Sequence, residues 1–140
     1  FDDIGFNITV ERALDKLRNS NNIRCNFKTS GDEYMVESLV SLTLLRVIQE
    51  ACSNSIKHGH AKEINVSLKY EPKSLTLTIK DDGDGFDTSA IPEFTRDDNS
   101  GFGLSMMKER IYLLSGKISI LSKPGEGCTV RVIIPVNKED

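Results

Sequence analysis

Apolar residues along this chain recur with the period of a helix in some stretches and of a strand in others, and the two alternate. Over 8–18, Val10, Ala13, Leu14 and Leu17 recur at helical spacing. Asn19, Ser20, Asn21 and Asn22 break that pattern, and Ile23, Cys25 and Phe27 then alternate with polar residues, as in a strand. After a turn at Gly31 and Asp32 comes the longest helical signal, over 34–57, where Leu39, Leu42, Leu45, Val47, Ile48, Ala51, Cys52 and Ile56 form a broad apolar face. Gly59 is expected to end it in the left-handed conformation. Ile64, Val66 and Leu68 alternate, as do Leu75, Leu77 and Ile79, and the short link 71–74 between them predicts an antiparallel hairpin. A Gly- and Asp-rich loop of roughly 20 residues runs over 82–103, a length usually tied to function. Leu104, Met107, Ile111 and Leu114 predict a helix over 104–115 that Gly116 stops. Strands over 117–122 and 129–136 follow, joined by the turn Pro124-Gly125-Glu126-Gly127. The sum is an α/β sandwich, with three helices on one face of a five-stranded mixed, mostly antiparallel sheet.

Composition narrows the function. The 140 residues form one expected domain, 1–140, with 38% hydrophobic and 28% charged residues. A net charge of −3 lacks the basic excess of a dedicated nucleic-acid binder, so no nucleic-acid partner is expected. No apolar run approaches the roughly 20 residues of a membrane span, so this stretch is expected to make no direct membrane contact. Cys25, Cys52 and Cys128 show no CxxC pairing and read as reduced, buried thiols. The start at Phe1, without Met, predicts a piece excised from a longer protein. The acidic surplus is concentrated in 81–98, where seven carboxylates meet a single cation, Arg96.

Four local patterns carry candidate chemistry. Glu50, Asn54 and Lys57 share one helical stripe, with His58 beside it. A carboxylate and a carboxamide suit Mg²⁺ and an ammonium suits phosphate, although the same stripe also reads as a solvated face with an intrahelical Glu–Lys contact. Asp81 stands where a strand ends, ahead of Gly83 and Gly85, in a turn whose backbone is open to a ligand. Its carboxylate can accept from an amino group, but Asp-Gly turns are common. Ser100-Gly101-Phe102-Gly103-Leu104 leads into a helix, where free N–H groups make a ready phosphate site. It lacks the Gly-Lys-Ser/Thr of a P-loop and the third glycine of a dinucleotide fingerprint. Gly125-Glu126-Gly127-Cys128-Thr129 opens the last strand, and hairpin chemistry alone accounts for it.

In their order and spacing, these patterns closely resemble the ATP-binding boxes of the GHKL superfamily, from Gly5 to Pro135. Arg46-Val47-Ile48-Gln49-Glu50-Ala51 with Asn54, Lys57 and His58 looks like the N box of sensor histidine kinases of the NarX, DesK and DegS type. Asp81-Asp82-Gly83-Asp84-Gly85-Phe86-Asp87 and the run from Gly101 through Met-Lys-Glu-Arg resemble the same subgroup, and Phe1 to Phe6 looks like the segment after its dimerisation helices.

The resemblance implies a Bergerat-type fold and a histidine kinase catalytic domain that takes ATP and Mg²⁺. Asp81 would receive the adenine amino group, and Gly83 and Gly85 would let the chain pass close to the base. Asn54 would coordinate Mg²⁺, and Glu50 would act from one turn earlier as a polar group orienting water or metal. Lys57 would meet phosphate and His58 would line the site. Gly101 and Gly103 would present amides to the phosphates, with Phe102 and Leu104 flanking them. Cys128, where the subgroup usually has Thr, and Thr129 would stand by the base. The γ-phosphoryl would pass to a histidine on the dimerisation and phospho-acceptor helices of the same parent and on to a NarL-type response regulator. The domain would be cytoplasmic and its parent membrane-anchored. An anti-sigma-factor-type protein-serine kinase and a degenerate nucleotide-binding module share these boxes and remain the alternatives.

Overall fold

The computed structural model describes residues 5–87 and 104–136 and, for 104–106, the backbone alone. Helix α1 (Phe6–Asn21) leads to strand β1 (Arg24–Gly31), helix α2 (Ser38–Lys57), strands β2 (Glu63–Tyr70) and β3 (Ser74–Asp81), helix α3 (Leu104–Leu113), and strands β4 (Lys117–Ser122) and β5 (Cys128–Pro135). The five strands form one sheet in the order β1-β2-β3-β5-β4. β1 and β2 are parallel, joined through α2, and every other pair is antiparallel. The expected hairpin is present, with Leu68 opposite Leu77.

One sheet face carries the core. Cys25, Ile64, Val66, Leu68, Leu75, Leu77, Ile79, Val130, Val132 and Ile134 are buried at alternate positions. They meet Val10 and Leu14 of α1, Leu44, Val47, Ile48 and Cys52 of α2, and Ile111 of α3 in one cluster. Lys69, Lys80, Arg131 and Ser119, on the opposite parity, are exposed.

Several boundaries differ from the periodicity. α2 begins at Ser38 rather than 34, because Tyr34 is held elsewhere. Its ring stands edge-on to Tyr70 at 5.1 Å, and its hydroxyl donates towards the Glu71 and Ser74 carbonyls at 2.7 and 3.1 Å. This contact ties the approach to α2 onto the β2–β3 turn. β1 runs on to Gly31 through polar residues, because pairing with β2 along its whole length satisfies the backbone there. The left-handed residue after α2 is His60, φ 56°, rather than Gly59. After α3, Ser115 (φ 63°) takes that conformation, and the Gly116 N–H closes the helix on the Ile111 carbonyl at 2.9 Å. Among the described residues, no helix is long and apolar enough to cross a membrane.

Candidate functional site

The site begins where the apolar column of β3 runs out. Leu75, Leu77 and Ile79 face the helices, and the next residue of that parity is Asp81, 8% exposed at the core's edge. A buried carboxylate requires donors. Oδ1 accepts from the Gly83 N–H at 2.8 Å and the Cys128 N–H at 3.2 Å, and Oδ2 accepts from the Ser55 hydroxyl at 2.5 Å. Three donors from α2, the loop after β3 and the start of β5 therefore fix one carboxylate. A carboxylate offers about four lone-pair sites, so one acceptor position is left for an N–H group of a ligand.

The loop after β3 depends on its glycines at two close approaches. A Cβ on Gly83 would sit 2.5 Å from the Gly59 carbonyl oxygen. Gly85 lies at φ +69°, and a Cβ there would sit 2.2 Å from the Lys123 carbonyl oxygen. The loop is also tied by its other acidic residues. Asp82 Oδ1 accepts from the Lys62 and Glu63 N–H groups at 2.9 and 3.0 Å, and these two bonds hold its carboxyl below the usual carboxylate range. The Asp84 N–H donates to the Gly59 carbonyl at 2.7 Å, and its carboxylate pairs with His60 Nδ1 at 2.8 Å. Asp81, Asp82 and Asp84 thus diverge, each carboxylate having its own partner. Among the described residues, no group of three or more His, Cys, Asp or Glu is placed to hold a metal ion.

Along α2 the expected stripe is present. Glu50 and Asn54 are half-buried and Lys57 and His58 are exposed. Asn54 directly precedes Ser55, whose hydroxyl reaches Asp81, so the stripe lies about 100° round the helix from that contact. Polar side chains beside a carboxylate with spare acceptor capacity fit an amino-bearing base with charged phosphates. The Glu50 carboxylate and Asn54 carboxamide are hard oxygen donors suited to Mg²⁺.

Cys128 stands opposite Asp81 in the β3–β5 ladder and shares its face. Burial, with the Asp81 charge second, pushes its thiol up to about 11. Thr129 is one residue on, opposite Lys80 and Leu121, and alternation turns it to the open face of the sheet. The structure therefore brings Cys128 to Asp81 and puts Thr129 on the opposite face of the sheet. Gly101, Phe102 and Gly103 lie outside the described residues, as does the side chain of Leu104, whose backbone begins α3.

Sequence reasoning missed three groups. Ser55 clamps Asp81 from a position 26 residues away, and its one local signal was a place on the inward side of α2, four residues after Ala51. Ser122 accepts from the Phe86 N–H at 2.9 Å and donates to the Gly127 carbonyl at 2.7 Å, joining the loop to the last hairpin. His60, in the turn after α2, pairs through Nδ1 with Asp84.

Comparison with known proteins agrees with this geometry. The family described as histidine kinase-, DNA gyrase B- and HSP90-like ATPases matches residues 40–138. The chain is 32% identical over 139 residues to the signal transduction histidine-protein kinase/phosphatase DegS of Brevibacillus brevis, covering 99% of this chain and 34% of that protein. It is 34% identical over 135 residues to an uncharacterized sensor-like histidine kinase of Chloroflexus aurantiacus, covering 94% of this chain and 22% of that protein. It therefore spans about a third or less of these relatives. Among solved structures, the catalytic domain of histidine kinase ThkA superposes with a TM-score of 0.74 at 18% identity, covering 96% of this chain and 92% of that one.

Proposed function

Because the chain belongs to the histidine kinase-, DNA gyrase B- and HSP90-like ATPase family, we propose that it is the nucleotide-binding and catalytic domain of a sensor histidine kinase, spanning 1–140. It binds Mg-ATP and passes the γ-phosphoryl to a histidine on the dimerisation helices of its own parent, which then feeds a NarL-type response regulator. The observation that carries this reading is Asp81, a carboxylate at the core's edge with three fixed donors and room for one more. An exocyclic adenine amino group meets that requirement.

Each residue has a role in this reading. Asp81 receives the base, and Gly83 and Gly85 keep the backbone close to it. Lys57 and His58 lie on the phosphate side of the stripe. Glu50 orients a water or the metal. Asn54 offers its amide oxygen to Mg²⁺, which when bound neutralises phosphate charge. Gly101, Gly103 and the start of α3 at Leu104 would supply amide donors to the phosphates, with Phe102 between them. Phosphoryl transfer asks a protein mainly for positioning and charge neutralisation, and this set of groups provides both. In this reading the parent sits at the membrane with this domain on the cytoplasmic side.

The test uses the full-length parent incubated with γ-labelled ATP and Mg²⁺. The expected label is lost in acid and survives alkali, the behaviour of phosphohistidine. An acid-stable label would support a protein-serine kinase instead, and no label together with no ADP binding by calorimetry would refute the nucleotide reading.

A further inference from the structure

We propose that Ser55 is a positioning residue that sharpens the base preference of the site by filling the place beside Asp81 Oδ2 that a freely turning water would otherwise take. The inference rests on the nucleotide reading above and deepens it. Ser55 is buried, 4% exposed, and its hydroxyl lies 3.0 Å from the Ala51 carbonyl and 2.5 Å from Asp81 Oδ2. One hydroxyl has one proton. A charged carboxylate is the stronger acceptor, so the proton goes to Asp81.

The consequence lies in what Asp81 has left to offer. Oδ1 is occupied by the Gly83 and Cys128 amides and Oδ2 by Ser55. All three are donors, and two belong to a backbone that cannot turn round. The carboxylate presents lone pairs only, in a fixed plane. The group that completes it must itself donate: the C6 substituent of a 6-amino purine does, whereas that of a 6-oxo purine is an acceptor. Discrimination by a site built to pair one polar group is large, because the wrong ligand leaves buried groups unpaired.

Removing the hydroxyl undoes this on one side. Ser55→Ala leaves a hydroxyl-sized gap beside Oδ2, which a water can enter. A water turns either way, accepting from an amino group or donating to a ring carbonyl. Alanine is at least as good a helix former as serine, so α2 itself is not weakened by the change.

The experiment measures binding of ADP and of inosine diphosphate, with Mg²⁺, to the 140-residue chain by calorimetry, alongside thermal unfolding. The two ligands share ribose and phosphates, so their affinity ratio reads the base alone. The wild type is expected to prefer ADP strongly. Ser55→Ala is expected to lower the ADP-over-inosine ratio about tenfold while unfolding as the wild type does. Ser55→Cys, of the same shape with a weaker donor, should fall between. A ratio unchanged within twofold in Ser55→Ala overturns the proposal, because a merely structural hydroxyl would affect both ligands alike. A wild type that binds neither diphosphate overturns the nucleotide reading itself, and the role of Ser55 with it.

Discussion

Gly127 lies directly against the backbone of Asp81. A Cβ at Gly127 would sit 2.2 Å from the Asp81 carbonyl oxygen, and its φ of +71° is one that side chains rarely adopt. The glycine packed against the candidate base reader thus has no room for a side chain. Gly125, two residues earlier, also has a positive φ, +82°, but nothing lies within 4 Å of its would-be Cβ.

These two glycines make a matched pair. Gly125→Ala carries the conformational cost alone, about 1–2 kcal/mol. Gly127→Ala carries the same cost plus a collision with backbone that cannot swing aside. Thermal unfolding should show a clearly larger drop for Gly127→Ala, and ADP affinity should fall with it, because the shift moves the Cys128 N–H off Asp81. Equal losses in the two variants would contradict the close approach.

Asp81→Asn tests the base reader at constant shape. The amide oxygen can keep the Gly83 and Cys128 bonds, and its NH₂ can face Ser55, whose hydroxyl then accepts. The fold should therefore survive, with a melting temperature within a few degrees of wild type. The position left for the ligand now faces a donor, and ADP affinity by calorimetry should drop at least about a hundredfold. Undiminished affinity would remove Asp81 from the site.

Much of this arrangement was legible in the sequence, for reasons that also mark its limits. Element order followed from periodicity, because one face of each strand and helix is buried. Asp81 was legible as a candidate because it ends an apolar alternation ahead of two glycines, and its place in the order of the four patterns set it apart from a common Asp-Gly turn. The start of α2 was not, because Tyr34 fits the helical spacing and only its contact with Tyr70 withdraws it. Thr129 resembled a ligand group by its place in a motif, and only the register with Lys80 shows which face it takes. Ser55 was invisible because its partner is a tertiary neighbour.

Asp82 gives the acid response a definite sign. The Lys62 and Glu63 amides hold its carboxyl below the ordinary 3.8 in the folded chain. A group whose folded value is lowered stabilises the fold above its unfolded value, and that contribution is lost as pH falls through the lowered one. Wild-type melting temperature should therefore fall as pH drops below about 4. Asp82→Asn keeps an oxygen for both amides but has no proton to gain, so its acid slope should be shallower. Asp82→Ala should be less stable even at neutral pH. Melting curves between pH 6 and 3 for the three proteins decide this, and identical slopes in wild type and Asp82→Asn would refute it.

The three thiols should report the same core from another side. Burial, then the neighbouring Cys25 and Asp81, pushes Cys52 up to about 12, and burial raises Cys25 as well. Cys128 sits lower, at about 11, in a half-buried position beside Asp81. Only the thiolate alkylates, so at pH 8 Cys128 should react about a hundredfold more slowly than an ordinary thiol of pKa 9.0. Cys52, lower in thiolate and fully enclosed, should be slower still. Iodoacetamide labelling followed by peptide mass mapping should therefore find Cys128 modified before Cys52, and all three at one common rate in denaturant. Bound ADP should slow Cys128 further, because the nucleotide reading puts the base against Asp81. Native-state labelling of Cys128 at the denatured rate would show that the start of β5 does not close over Asp81.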